Sequence, residues 1–485
     1  MKPTRWIAVG LLAVVGIVLG AIAVFGDESE PNQIVGPPSS RPQPPAKSPN
    51  VVVVMTDDQA LDTMVAMPKT RRLLGRHGTT YENAVVTYPL CCPSRATFLT
   101  GQYAHNHGVL DNHPPNGGYG KLDIEHTLPI WLQRRGYLTA FVGKYLNGYG
   151  KGDDVTDVPP GWDEWYALPG KNKQRSYDFE LNENGELVTY GGDERRHKAT
   201  VLGDKTVQVL DELAPERRPF FLWLATNGPH RDSGLPDDAP RNPVPEPPDL
   251  GKFEGKHMPD TSATRRDLSD KPESVQKDAK RVDRETLERL DREYVSQLET
   301  LLGIDRTIGR IVETLREHGE LENTVIIFTS DNGFLRGQHG LEGKASPYEE
   351  SILVPLIIRG PGFAAGATDR ALAPNIDLAA TILDVTGAEP DIEVDGRTLR
   401  RDPDGKGRDA VLLEVYGRKR SFTGVRTDRY VWAEHETGEY ELYDLAKDPL
   451  ELHNLADDPA YADVREKLEA RLAELRECSG PKECG

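Results

Sequence analysis

Val51-Val52-Val53-Val54-Met55-Thr56-Asp57-Asp58 opens the folded part of the chain, just after Pro49 and Asn50. Its apolar run is too short for a helix and lacks the polar alternation of a strand wetted on one side, so it reads as a strand buried on both faces. Similar runs recur at Thr139 to Val142, Phe220 to Leu224, Val325 to Phe328 and Leu353 to Ile358, with helical patterns between several of them. That alternation predicts an α/β fold built on a large, mostly parallel sheet flanked by helices. The longest helical pattern joins Leu287, Leu290, Tyr294, Leu298, Leu301, Ile308, Ile311 and Leu315, with charges on the opposite face.

Outward from these strands the chain changes character several times. Lys2 and Arg5 precede the uncharged stretch Trp6 to Phe25, so residues 1–25 read as export machinery, either a cleaved signal peptide or a membrane anchor. Residues 26–49 are a proline-rich linker with seven prolines. A polar insertion occupies 231–280, rich in charge, Gly and Pro. Near Gly387 the pattern gives way to a C-terminal α+β subdomain, 387–485, with a hairpin between Tyr430 to Ala433 and Tyr440 to Tyr443.

Composition excludes some functions. The 485 residues suit one large domain with smaller attachments, and 37% hydrophobic content supports a substantial core. Lys plus Arg, 59, minus Asp plus Glu, 78, leaves a net charge of −19, which repels a nucleic-acid backbone. No nucleic-acid partner is expected, and contact with a membrane is expected only through the N-terminal segment. An anionic substrate would need a local cationic pocket against that field. Of the four cysteines, Cys478 and Cys484 have the spacing to close a small disulfide loop in an oxidising compartment, while the adjacent Cys91 and Cys92 rarely suit each other.

The chemistry lies at the ends of the strands. Asp57 and Asp58, Gly143 and Lys144, Asn227 to His230, and Ser330 to Asn332 all stand at such ends. In an open parallel sheet the crevice outside the carboxyl ends binds ligands, so residues spread along the chain converge there. Taken singly, such residues also serve as caps and turn formers. Asp57, Asp58, Asp331 and Asn332 form a hard oxygen-donor set that suits Ca²⁺, with Mg²⁺ as the alternative, rather than zinc. Arg95, Lys144, Lys344 and His230 would surround an anion beside it.

The segment Cys91-Cys92-Pro93-Ser94-Arg95, continued through Ala96-Thr97-Phe98-Leu99-Thr100-Gly101, resembles the C-x-P-S-R-x-x-x-L-T-G motif of the type I sulfatases. Gly143-Lys144, Pro229-His230, Ser330-Asp331-Asn332-Gly333 and Gly340-Leu341-Glu342-Gly343-Lys344 match the same family, and the similarity runs from Asn50 to the C-terminus. The resemblance implies an alkaline-phosphatase-like fold, with 50–386 as the catalytic domain. It implies that a maturation enzyme oxidises Cys91 to formylglycine, whose hydrate attacks a sulfate ester. Arg95 and Lys144 then hold the nucleophile, while His230 and Lys344 bind sulfate and protonate the leaving oxygen. The combination of CCPSR with Gly143-Lys144-Tyr145-Leu146-Asn147 is most similar to the branch acting on N-acetylglucosamine 6-sulfate. The expected substrate is a sulfated carbohydrate or aryl sulfate.

One departure stands out. Many sulfatases carry a histidine two or three residues beyond the lysine matched by Lys144, and here those positions are Leu146 and Asn147. Either Asn147 orients water there, or His339 takes over, and both are candidate substrate-binding residues. A phosphoester or phosphonate hydrolase, or a non-catalytic glycan-binding relative, are the competing readings on this scaffold.

Overall fold

The computed structural model describes residues 48–151, 155–170, 174–232, 242–259, 262–265, 267–400 and 407–485. The expected export segment, almost all of the linker and parts of the polar insertion lie outside them. Among the described residues no helix is long and apolar enough to cross a membrane.

Sixteen strands occur among the described residues. In chain order they are β1 (Asn50–Thr56), β2 (Gly78–Val85), β3 (Leu138–Gly143), β4 (Glu164–Ala167), β5 (Phe179–Glu183), β6 (Glu186–Tyr190), β7 (Phe220–Ala225) and β8 (Thr324–Ser330). After these come β9 (Leu335–Arg336), β10 (Glu342–Gly343), β11 (Leu356–Arg359), β12 (Ala367–Pro374), β13 (Ala410–Val415), β14 (Phe422–Thr427), β15 (Tyr430–His435) and β16 (Tyr440–Asp444). Ten of them form one sheet in the order β12-β2-β11-β8-β1-β7-β3-β4-β5-β6.

Strands β8, β1, β7, β3 and β4 are parallel neighbours, and they form the middle of the sheet. Successive residues of β1 point to opposite cores. Val51, Val53 and Met55 pack with Phe141, Trp223 and Ile327 on one face, and Val52 and Val54 pack with Val142, Leu224 and Phe328 on the other. Both faces are covered, which is why the sequence shows an unbroken apolar run. The long helix Arg284–Glu317 covers the second face, as its spacing predicts, with Asp283 accepting a hydrogen bond from the Thr286 amide at its start.

The sheet is mixed towards its edges. The last predicted strand is β11, and it runs antiparallel to β8. Residues 331–355 stay at the carboxyl end of the sheet, so the chain re-enters from that end, without the crossover that a parallel neighbour requires. The polar insertion is not wholly superficial: Val275, in the helix Glu273–Asp278, is buried with Leu341, Tyr348 and Tyr443.

The helix Ile376–Thr386 ends at Gly387, in the left-handed conformation with φ 67°. Beyond it, β13 to β16 form an antiparallel four-stranded sheet, in which Trp432 faces Leu442 across the predicted hairpin. The helix Ala462–Leu475 packs on this sheet through Leu468, Leu472 and Leu475. Cys478 and Cys484 form a disulfide.

Candidate active site

Register brings the four strand ends together. Met55 lies opposite Ala225 and Thr329, and Ala225 lies opposite Gly143. The residues just beyond them therefore emerge side by side. Gly143 has φ 116°, and a Cβ there would stand 2.0 Å from the Ala225 carbonyl oxygen. Glycine lets the chain turn at that point, where the Lys144 amide donates to the same oxygen at 2.8 Å.

Cys91 is the first residue of the helix Cys91–Thr100, all ten residues of which are buried. Arg95 stands one turn along on the same face as Cys91. Its Nε donates to Asp331 Oδ2 at 2.9 Å, and its Nη1 donates to the Lys144 carbonyl. Lys144 Nζ is ion-paired with Asp57, and Asn227 Nδ2 donates to the same carboxylate oxygen at 3.3 Å. Lys344 follows β10, Ala345 after it is tied to the Pro89 carbonyl, and the Lys344 Nζ reaches Cys91 Sγ at 2.8 Å while pairing with Asp58. His230 Nδ1 lies 2.8 Å from the Arg231 carbonyl, which makes Nδ1 the donor and leaves Nε2 facing Asp58 at 3.7 Å.

Exposure sorts these groups. Arg95, Lys144, Asp57, Asp331 and Asn332 are fully buried, whereas the side chains of His230 and Lys344 keep 17% and 14% of their surface. An arriving ester meets the last two. Charge balance is tight. Burial would raise the Asp57 carboxyl, but Lys144, His230, Arg95 and Lys344 hold it well below the usual carboxylate range, and Asp58 is lowered against burial chiefly by Lys344. Asp331 is pushed up by burial and by Asp57, despite Arg95. Burial also lowers His230.

The residues fit a divalent cation. Donor atoms of Asp57, Cys91 and Asp331 lie within 4.8 Å of one another, as do those of Asp57, Asp58 and His230. Asn332 Oδ1 is buried and has no hydrogen-bond partner among the described residues, although its Nδ2 is held by Asp58. A buried carbonyl oxygen beside three carboxylates is a hard-donor set of the kind that holds such a cation.

Two expected residues are placed apart from this cluster. Asn147 is buried, with Oδ1 unpartnered among the described residues. His339 is 0% exposed and stacks on Tyr348 at 3.9 Å, and the charges that act on it most are Lys271, Glu441, Asp448 and Asp270. The ring is enclosed against Tyr348.

One residue escaped the sequence reading. Lys198 is buried, and its Nζ donates to Asn227 Oδ1 at 2.7 Å, which links it through Asn227 to Asp57. Burial pulls its pKa down to about 7, against Asp232. The available signal was position: Lys198 falls on the apolar stripe of the helix Lys198–Leu213, with Val201, Leu202, Val209 and Leu213.

Three buried carboxylates beside the unpartnered Asn332 Oδ1, a residue at a helix N-terminus touched by the Lys344 ammonium, and His230 at the opening suit a tetrahedral anionic ester. Known proteins identify the ester. The Sulfatase family matches residues 49–388, and the family N-sulphoglucosamine sulphohydrolase, C-terminal, matches 337–478. The chain is 33% identical to human N-acetylglucosamine-6-sulfatase over a 489-residue alignment covering 90% of this chain and 86% of that protein. It is 35% identical over 358 residues to an extracellular sulfatase homolog of Caenorhabditis elegans, covering 72% of this chain and 48% of that longer protein. A solved structure holding its substrate D-glucosamine-2-N,6-O-disulfate superposes with a TM-score of 0.77 at 26% identity, over 89% of this chain and 98% of that one. The chain belongs to the sulfatase family. It is a sulfuric ester hydrolase with the alkaline-phosphatase-like fold.

Proposed function

We propose that this chain removes the 6-sulfate of N-acetylglucosamine or a related sulfated glucosamine, with Cys91 converted to formylglycine and Ca²⁺ held by Asp57, Asp58, Asp331 and Asn332. The substrate class rests on the shared chemistry of two relatives, the human N-acetylglucosamine-6-sulfatase and the solved complex with a 6-O-sulfated glucosamine.

Burial pushes the Cys91 thiol up to about 11, against Lys144 and Lys344, so an unmodified Cys91 keeps its proton at neutral pH and is a weak nucleophile. That supports conversion of Cys91. Pro93 and Arg95, two and four residues on, are in register with Cys91 and out of register with Cys92. Because Cys91 is 1% exposed in the folded protein, a maturation enzyme acts on the segment before the helix is buried. As a hydrated aldehyde, residue 91 offers one hydroxyl to attack sulfur and a second whose deprotonation expels sulfate, a route that a thiol lacks. A bound divalent ion supplies positive charge for the sulfate oxygens.

The side chains of this chain do the rest. Lys144 and Arg95 hold the carboxylates and the nucleophile's surroundings rigid. Lys344, charged and 2.8 Å from Cys91 Sγ, binds the sulfate group. His230, its Nδ1 tied to the Arg231 carbonyl and its Nε2 left free of a proton, handles the proton of the departing oxygen. Asn147 orients water beside Lys144. Lys2, Arg5 and the uncharged segment after them direct the chain out of the cytoplasm.

The test is kcat/KM on N-acetylglucosamine 6-sulfate, iduronate 2-sulfate, an aryl sulfate and the matched phosphate monoesters. Preference for the 6-sulfate is expected. A preference for iduronate 2-sulfate overturns the substrate assignment, and faster turnover of the phosphates favours a phosphoester hydrolase instead.

A further inference from the structure

Away from the aspartate cluster, three ionisable side chains, two buried and one half-buried, meet without satisfying one another. His339 is 0% exposed, and both ring nitrogens lack a hydrogen-bond partner among the described residues. Glu451, also 0% exposed, leaves Oε1 unpartnered, while its Oε2 accepts from the Glu349 amide at 2.8 Å. Glu350 leaves Oε2 buried and unpartnered. One donor atom from each lies within 4.8 Å of the others. An unpaired buried polar group costs about 1–3 kcal/mol, more when charged, and native interiors rarely leave one in this state. Here three side chains that each carry such an atom meet.

We propose that His339, Glu350 and Glu451 form a second cation site, which takes one borderline divalent ion such as Zn²⁺ and shares no residue with the Asp57 site. One imidazole nitrogen and two carboxylate oxygens give the three protein ligands of a tetrahedral site with a fourth position for water. The nitrogen donor selects against Ca²⁺ and Mg²⁺, which take all-oxygen shells. The ring is available as a ligand because neither of its nitrogens has a hydrogen-bond partner among the described residues.

The site has a structural consequence. His339 and Glu350 bracket the segment carrying Lys344, and Glu451 belongs to the C-terminal subdomain beyond β16. A shared ion pins both ends of that segment to the subdomain. Left-handed backbone at His339 and Glu451, φ 54° and 52°, shows that the fold holds both residues in a conformation non-glycine residues seldom adopt.

The full-length protein is stripped with chelator, reloaded with excess Ca²⁺, exposed to Zn²⁺, desalted and analysed for metal content. The wild type is expected to retain one Zn²⁺ per chain, to melt at a higher temperature with Zn²⁺ than without, and to gain amide-exchange protection over 338–351. His339→Gln and the near-isosteric Glu451→Gln should lose that ion, and Asp331→Ala should keep it. Zn²⁺ retained equally by the two variants, or lost only with Asp331→Ala, overturns the proposal. If neither variant folds, the wild type decides alone: no retained Zn²⁺ and no rise in melting temperature overturn it.

Discussion

Cys91 and Lys344 are 253 positions apart, yet Nζ and Sγ are 2.8 Å from each other, and the reaction is expected to depend on both. Replacing Lys344 with Ala removes a preorganised cation from the sulfate site, and kcat should fall by about 10²–10³, the usual effect of losing one such group. Steady-state kinetics on an aryl sulfate checks this; a fall below tenfold would show that Lys344 does not bear on the transition state. Cys91→Ala should abolish turnover, whereas Cys92→Ala, whose side chain packs in the core, should not. Peptide mass analysis of the active enzyme should find the aldehyde at 91 and a thiol at 92. An active preparation with an unmodified Cys91 would sink the proposed mechanism. Asp57, Asp58, Asp331 and Asn332 were legible as candidates because each stands just past the end of a strand. Lys198 was not, since its partner Asn227 is remote in sequence and a lysine on a helix is ordinarily solvated.

Among elements, the turn after β3 and the helix Lys198–Leu213 make separate predictions. Gly143→Ala would force a Cβ against the Ala225 carbonyl at a positive φ, so the loss of stability should reach about 1–3 kcal/mol, read as a lower denaturation midpoint in urea. The Lys144 position should be disturbed with it. Lys198 tests the helix through pH. Its folded pKa, about 7, lies below the ordinary 10.5, so between these values the unfolded chain binds the extra proton. This contribution makes stability rise with pH from about 7 to 10.5, and the cost is fully present below pH 7. Lys198→Met should lack that rise, seen as a difference in melting temperature between variant and wild type that narrows or reverses over the window. Parallel profiles would mean that Lys198 is charged in the folded protein at neutral pH.

For the molecule as a whole, the Ca²⁺ proposed at the aspartate cluster would couple metal to stability. Chelation removes the countercharge of Asp57, Asp58 and Asp331, so activity should vanish and the melting temperature should fall, with Ca²⁺ restoring both; Asp331→Ala should behave as the chelated enzyme does. Full activity at verified nil metal content would exclude the proposed cofactor. The central strands, the long amphipathic helix, the hairpin at Tyr430 and Tyr440 and the break near Gly387 come from local pattern, because burial on one or two faces leaves a period of its own in the residues. The motif Cys91 to Gly101 likewise carries its chemistry in adjacent positions. The antiparallel course of β11, the antiparallel edge β4-β5-β6 and the burial of Val275 are not written locally, since direction and neighbours depend on where the chain re-enters the sheet. The same holds for His339, which looks like a pocket residue beside Lys344 in sequence and is enclosed with Glu350 and Glu451 in the fold. Sequence offered the residues on which the proposed chemistry rests. Only tertiary packing decided which of them share a space, because burial and long-range proximity are properties of the folded chain.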